Sequence, residues 1–334
     1  MGGRSRFHPR FTKGVQGPPM SSARPSARLT QTAAPLRKVL SALVPAGALA
    51  MVAYVFLTKG SQLAAALVAV SPVILLGAVA AHLLTLVLRT EAWRTVLGAA
   101  AGKRLSPRAV HAANAGAFLA GTVQGQAAMP TRVALLQRFG GADAPAVSKI
   151  ALGDAPIVLF EVCGSAVLAA IVSTAVGMIP GWAPWALLGG ALAILIALRA
   201  VYGRFRHRDI AAGLRVLAEP GARNRLAAIV AGFTAMAFLR TLIVMAGFDL
   251  PTDPAHVCLV LFTMGAVGLL PLGIGTGPAS MVAALGTTNL VTATAAGTVV
   301  SAATVLAVVL YAGAVWVWRR LALRPMGGTA VRVT

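Results

Sequence analysis

The sequence predicts an all-α polytopic integral membrane protein with about six full transmembrane helices and two re-entrant or broken helical elements. Three observations predict this class. Hydrophobic residues make up 58% of the 334 positions and charged residues only 11%, which is more apolar side chain than one water-soluble core needs. Apolar runs long enough to cross a bilayer as helices recur along the chain. Basic residues, 29 Lys and Arg against 8 Asp and Glu, cluster between those runs, as in cytoplasmic loops.

The two ends of the chain are predicted to be basic cytoplasmic tails. Residues 1–38 contain Arg and Lys but no acid, interspersed with Pro, Gly and Ser, and such a segment cannot bury enough apolar area to fold. A transmembrane domain then covers residues 39–320, and a short tail covers residues 321–334. The positive charge is typical of contact with an anionic membrane leaflet. No nucleic-acid partner is predicted, because no binding motif accompanies the charge.

The six full spans are predicted from the apolar runs and the charges that flank them. They are Val39–Leu57, Leu63–Leu88, Ile150 to about Val176, Ala186 to about Val201, Leu226–Phe248 and Val291–Trp318. Basic loops follow the second and fourth spans, whereas Asp249 and Asp253 follow the fifth. This asymmetry places both termini on the cytoplasmic side of a plasma membrane.

The first re-entrant element is predicted at Val110–Met129. This stretch is only moderately apolar and ends at Pro130, with Arg132 and Arg138 just beyond. Basic residues on both sides indicate that the chain enters and leaves on the same face of the membrane. The break at Pro130 would line a cavity enclosed by protein, because an interrupted backbone is not tolerated against lipid.

The second broken element is predicted between His256 and about Leu290. Its apolar sequence is interrupted by Pro271, Gly273, Gly275 and Gly277, and Gly and Pro at that density cannot sustain one helix. Two half-helices that enter from outside and return are predicted, with these breaks lining the site.

Ionisable residues inside the predicted spans are candidates for substrate binding. Asp154 and Glu161 lie seven residues apart in the third span, and Glu161 is about 16 Å from the start of that span at Ile150. Arg240 is about 21 Å into the fifth span by the same count, so the sequence predicts a Glu161–Arg240 ion pair lining a central cavity. The alternatives are an internal salt bridge of structural role, and an Arg240 side chain that extends outward beside Asp249.

No enzyme, cofactor or metal is predicted. The sequence contains no GxSxG elbow, Walker loop or HExxH motif, so catalysis has no visible centre. His82, His111 and His256 stand singly in apolar context, and Cys163 and Cys258 lack zinc-ligand spacing. Packing or interfacial roles are expected for all five.

Three segments carry a resemblance to a known family. Trp93 in the first predicted cytoplasmic loop, Met129–Arg132 with Arg138 beyond, and the broken segment Leu270–Gly275 together resemble the lysylphosphatidylglycerol synthase transmembrane (flippase-like) family in order and spacing. The resemblance covers most of residues 39–320 and indicates a divergent member without a synthase domain. It implies a bacterial polytopic protein that moves a lipid, or a lipid-linked headgroup, between leaflets.

This sequence departs from the family pattern at several charged positions. Ala134 and Leu135 stand where a Gly and an acidic residue are usual, and Gly277 and Pro278 stand where Arg and Glu are usual. Asp154 matches the family's acidic residue in the third span.

The leading hypothesis is an inner-membrane translocator of a phospholipid or lipid-linked substrate. Arg132 and Arg138 would attract the headgroup at the cytoplasmic mouth, and Asp154, Glu161 and Arg240 would line its path. One alternative is an ion-coupled secondary transporter of a small solute that uses Asp154 and Glu161 as coupling carboxylates. Another is a non-transporting membrane partner of an envelope biosynthesis enzyme.

Overall fold

The computed structural model describes most of the predicted transmembrane domain. The described residues are 57–58, 60–62, 64–141, 144–150, 153–175, 182–205, 209–268, 276–285 and 290–322. The predicted tail at residues 1–38 and nearly all of the predicted first span lie outside them. The C-terminal tail predicted at residues 321–334 is described only at residues 321–322, which continue a helix.

The described residues form helices and connecting turns, with no β-strand among them, which confirms the all-α prediction. Eleven helices are numbered here in chain order: α1 Pro72–Ala101, α2 Pro107–Val123, α3 Ala128–Gly140, α4 Val147–Ile150, α5 Ala155–Ala175, α6 Ala183–Phe205, α7 Arg215–Ala218, α8 Pro220–Gly247, α9 Pro254–Gly268, α10 Thr276–Leu285 and α11 Leu290–Ala322. Short 3-10 turns at Gly125–Ala127 and Asp209–Leu214 precede α3 and α7.

Three helices in the described part of the chain are long and apolar enough to cross a membrane. They are Pro72–Ala101, Pro220–Gly247 and the Leu290–Leu321 portion of α11. Helix α1 packs along α8, and α11 packs against α1, α2 and α8. These helices form the centre of an all-α membrane protein, while the total of six full spans stays a prediction.

Helix α1 is longer at its C-terminal end than predicted. It begins at Pro72, where the Ser71 hydroxyl accepts a hydrogen bond from the amide of Val73 (3.3 Å). It ends at Ala101 and is followed by Gly102, whose φ of 66° is left-handed. The predicted end at Leu88 is therefore wrong by more than three turns, and Trp93 lies inside the helix rather than in a loop. Hydropathy falls after Leu88 because polar residues there bind neighbouring helices, as described below.

The first broken element is a helical hairpin. A Cβ on Gly116 would contact Leu135 and Thr131, and a Cβ on Gly121 would contact Ala128, so α2 and α3 run antiparallel. The predicted break position is wrong, because α2 ends at Val123 and Pro130 lies in the first turn of α3. At about 25 Å and 20 Å, both helices are shorter than a full span.

The second broken element also consists of two helices, as predicted. Helix α9 ends at Gly268 and α10 begins at Thr276, whereas Pro271, Gly273 and Gly275 lie outside the described residues. The Thr263 hydroxyl of α9 donates a hydrogen bond to the Ser280 carbonyl of α10 (3.2 Å). Gly277 is buried in the first turn of α10, where it packs on α11.

We predict that Gly297→Ala in α11 destabilises the fold. A Cβ at position 297 would lie 2.5 Å from the backbone nitrogen and Cα of Pro278, so α10 and α11 would have to separate. Overpacking of this kind costs about 1 to 3 kcal/mol, measurable as a lower melting temperature in detergent. Gly313→Ala on the same helix is the matched control, because nothing lies within 4 Å of its Cβ position. Equal melting temperatures for the two variants would contradict this packing.

The third predicted span begins later than predicted. Ile150 ends the short helix α4, and α5 begins at Ala155. Asp154 therefore precedes α5, and its carbonyl accepts a hydrogen bond from the amide of Val158 (2.9 Å). Glu161 is then only about 9 Å into α5, not about 16 Å.

Candidate functional site

One face of α1 carries a line of polar side chains that bind other helices. Arg89 lies seven residues after His82, and Trp93 lies eleven residues after it. These spacings place the three side chains within about 40° of one another around the helix. They span about 16 Å along its axis. We call these three residues and their partners the polar stripe; the partners are Arg240, Glu161, Arg132 and Asp154.

The first cluster of the polar stripe joins Trp93, Arg132 and Asp154. One terminal nitrogen of Arg132 donates to both carboxylate oxygens of Asp154 (3.2 and 3.1 Å), and the Trp93 indole donates to the same carboxylate (2.5 Å). The Arg132 guanidinium also lies 4.3 Å from the centre of the Trp93 ring. Side-chain exposure is 8% for Arg132 and 40% for Asp154. The cluster therefore combines a buried cation with a carboxylate that a ligand can reach.

The second cluster is an ion pair between α1 and α5. Arg89 donates to Glu161 (3.1 Å), and about one third of each side chain is exposed. The Arg89 guanidinium also lies 5.6 Å from the centre of the Phe233 ring on α8. Arg89 thus links three helices at a position reachable from outside the bundle.

The third cluster is a buried arginine that has no carboxylate partner among the described residues. Arg240 is 7% exposed and is hydrogen-bonded to Nδ1 of His82 (2.8 Å) and to the Thr304 hydroxyl (3.3 Å). The predicted Glu161–Arg240 ion pair is therefore wrong, because Glu161 binds Arg89 instead. The depth count failed at both helices, because α5 starts at Ala155 and α8 at Pro220. Counted from these starts, Glu161 is about 9 Å into α5 and Arg240 about 30 Å into α8.

Unused donors on two buried guanidinium groups distinguish the polar stripe from an ordinary salt-bridge network. The Nε atoms of Arg132 and Arg240 are buried and have no hydrogen-bond partner among the described residues. Both amide atoms of Asn114 on α2 are also buried without a partner there. Buried donors without partners are costly, and they are suited to binding an anion or water.

A hydrogen-bond chain on another side of α1 connects α2 and α11. The Thr90 and Tyr311 hydroxyls are 2.9 Å apart, and the Tyr311 hydroxyl lies 2.8 Å from Nδ1 of His111. Nε2 of His111 lies 3.2 Å from Glu91, which also binds Arg94 through two nitrogens. His111 therefore has a polar role, although its isolation in the sequence indicated packing.

An apolar cavity lies between α5, α8 and α9. Its volume is about 530 Å³, and its lining includes Phe160, Val230, Phe238 and Cys258. Phe160 directly precedes Glu161 in α5. This volume falls in the range of small-molecule sites, and the lining suits hydrocarbon.

The structure brings together only some of the predicted site residues. Arg132, Asp154, Glu161 and Arg240 all belong to the polar stripe. Arg138 does not, because it lies six residues after Arg132 on a different face of α3 and is exposed. Of the predicted break residues, Pro130 and Gly277 lie within helices, whereas Pro271, Gly273 and Gly275 lie outside the described residues, so their predicted role stays a prediction.

His82 and Arg89 were missed as site residues. His82 was assigned to packing, and Arg89 was assigned to a basic loop. Their seven-residue spacing, extended by Trp93, is the helical signal that could have identified them.

The fold and the polar stripe define a class: an all-α membrane protein with a charged, partly accessible interior. The family described as Lysylphosphatidylglycerol synthase TM region matches residues 39–323. The chain therefore belongs to this family, which links it to membrane lipids and the handling of their headgroups. None of the curated proteins and none of the solved structures matches it.

Proposed function

We propose that this protein moves a lipid, or a lipid-linked headgroup, across the bacterial cell membrane. The observation that carries the proposal is the polar stripe, in which Arg132 and Arg240 keep buried Nε donors without described partners. Charged groups inside a membrane protein are costly and are usually retained for function. Guanidinium groups are well suited to bind phosphate oxygens.

In this proposal the headgroup moves along α1 by exchanging ion-pair partners. Its phosphate first competes with Asp154 for Arg132, then with Glu161 for Arg89, and finally reaches Arg240. Each step replaces one charge-assisted hydrogen bond with another, so no guanidinium becomes unpaired. The 40% exposure of the Asp154 side chain supports its role as the first carboxylate to be displaced.

The acyl chains travel separately from the headgroup. They remain in the bilayer or enter the apolar cavity between α5, α8 and α9, whose residue Phe160 is adjacent to Glu161. The termini of the chain face the cytoplasm, as the basic loops predict. The protein performs no covalent chemistry.

We predict that the double substitution Arg89→Gln and Glu161→Gln slows leaflet exchange at least about tenfold, which corresponds to about 1.4 kcal/mol in the barrier. It removes one step of the path and leaves no unpaired charge. Exchange is measured in proteoliposomes as the dithionite-accessible fraction of a fluorescent phosphatidylglycerol over time. The melting temperature in detergent shows that the variant is folded.

The matched control is Lys149→Gln with Asp209→Asn. It also removes an ion pair (3.8 Å), but a more exposed one that includes no residue of the polar stripe, so exchange should match the wild type. If the wild-type protein shows no more exchange than empty liposomes, translocation is excluded. If both double variants exchange lipid like the wild type, the polar stripe is not the path.

A further inference from the structure

A second cavity, rich in basic side chains, lies where α1 ends and α8 begins. Its volume is about 740 Å³. It is lined by the C-terminal part of α1, the following loop, α7 and the first turns of α8, and its charged lining residues are Arg94, Lys103, Arg104, Arg215, Glu219 and Arg225. We call this the basic cavity. None of the predicted site residues belongs to it.

The basic cavity carries a large excess of positive charge. Five cationic side chains against Glu219 leave a formal charge of four plus. Glu91, which does not line the cavity, offsets part of this positive charge, because it forms ion pairs with Arg94 (2.5 Å) and Arg225 (3.7 Å). Arg104 has no ion-pair partner within the described ranges. A concave site with this charge concentrates anions from solution or from the membrane surface.

The first turn of α8 adds further donors to the same cavity. Gly221 and Ala222 line it, and amides at these positions have no acceptor within their helix. Glu219, which precedes the helix, does not cap them with its side chain. Its carboxylate accepts instead from Arg215 (2.7 Å). The 28-residue helix therefore presents an uncapped N-terminus, which attracts anions, to a cavity that is already cationic.

The turn that ends α1 lies against Arg215. Gly102 adopts a left-handed φ of 66°, which favours glycine at this position. A Cβ added at Gly102 would lie 3.5 Å from a terminal nitrogen of Arg215, which is an ordinary contact distance.

We propose that the basic cavity binds a phosphate-bearing anion, and that the ligand is the headgroup of an anionic phospholipid or a free phosphate compound. This inference extends the proposed function by adding a loading site: Gly102 and His82 are about 30 Å apart along α1. That distance is about the hydrocarbon thickness of a bilayer, so a headgroup that moved from the basic cavity to the far end of the polar stripe would travel far enough to change leaflets. Binding to the basic cavity does not itself require translocation.

The test compares the double variant Arg104→Gln, Arg225→Gln with the single variant Arg223→Gln. Arg223 has the same charge and is only two residues from Arg225, but it does not line the cavity. Purified protein in detergent is titrated with phosphatidylglycerol or phosphatidylcholine by native mass spectrometry, and with inorganic pyrophosphate by calorimetry. Melting temperatures verify folding.

Weaker binding in the double variant, by about tenfold for two partly exposed charged contacts, is the expected result, with Arg223→Gln unchanged. If the double variant binds phosphatidylglycerol more weakly, the ligand is a lipid headgroup. If it binds only pyrophosphate more weakly, the ligand is a soluble phosphate compound. The inference is overturned if the wild type binds neither anion, if the double variant binds both normally, or if Arg223→Gln loses as much. If the double variant loses anion binding but still exchanges lipid, the basic cavity is not a loading site, and translocation is unaffected. If the wild-type protein binds the anion but shows no lipid exchange, the translocation proposal fails, and the anion site remains.

Discussion

Asp154→Asn is expected to slow lipid exchange strongly, because no carboxylate remains to displace the phosphate from Arg132, and to lower the stability of the fold. The substitution keeps the shape of the side chain but leaves the Arg132 guanidinium, 8% exposed, without its carboxylate. Removing one partner of a buried ion pair typically costs 3 to 5 kcal/mol, and we expect about 2 to 3 kcal/mol here since Asp154 is 40% exposed. Detergent melting curves and the proteoliposome exchange assay measure the two effects.

Substitution of Arg132, the partner of Asp154, tests the two charges of the pair one at a time. Arg132→Gln leaves Asp154 with the Trp93 indole donor and access to water, so it should destabilise less than Asp154→Asn. Exchange should still be lost, because the first cation of the path is gone. The double variant Asp154→Asn, Arg132→Gln buries no charge and should therefore be more stable than Asp154→Asn alone.

Arg138→Gln is the control for these variants, because it removes the same charge from an exposed face of the same helix. It should leave both stability and exchange unchanged. Additive destabilisation in the double variant would contradict the ion pair. Normal exchange in Arg132→Gln would contradict a translocation role for this cluster.

The all-α membrane class was predictable from the sequence because it depends on composition and segment length. Arg132 and Asp154 were predicted as substrate-binding residues, whereas Trp93 entered only through the family resemblance. Their mutual contact was not predicted, since Trp93 was placed in a loop. Hydropathy predicts that α1 ends where polar residues begin, because it does not distinguish a polar residue that faces a partner helix from one that faces water.

The partners of the interior charges could not be predicted for a related reason. The depths were counted from the predicted segment ends, but α5 starts five residues after Ile150 and α8 starts six residues before Leu226. Glu161 and Arg240 therefore lie at different distances from their helix starts, and Glu161 pairs with Arg89. Pairing in a helix bundle depends on rotation and register, which the sequence of one helix does not determine.

Arg240→Met is expected to abolish exchange without destabilising the protein. Arg240 is 7% exposed, and its hydrogen-bond partners among the described residues are the His82 ring and the Thr304 hydroxyl, with no carboxylate. Replacing a whole buried ion pair with apolar residues of similar size is often neutral or stabilising by about 1 to 4 kcal/mol. Arg240→Met removes a buried charge and leaves no opposite charge behind among the described residues, so the melting temperature should be unchanged or higher. A residue that costs stability and is still present in the polar stripe is best explained by ligand binding.

Arg240→Lys tests whether the charge alone is sufficient. Lysine keeps the cation but cannot donate in the planar, two-pronged arrangement that suits a phosphate. Exchange should therefore be partly retained in Arg240→Lys and lost in Arg240→Met. A clear fall in the melting temperature of Arg240→Met, with exchange in the folded fraction unaffected, would instead make Arg240 a structural residue. The path would then end at the Arg89–Glu161 pair, short of the third cluster.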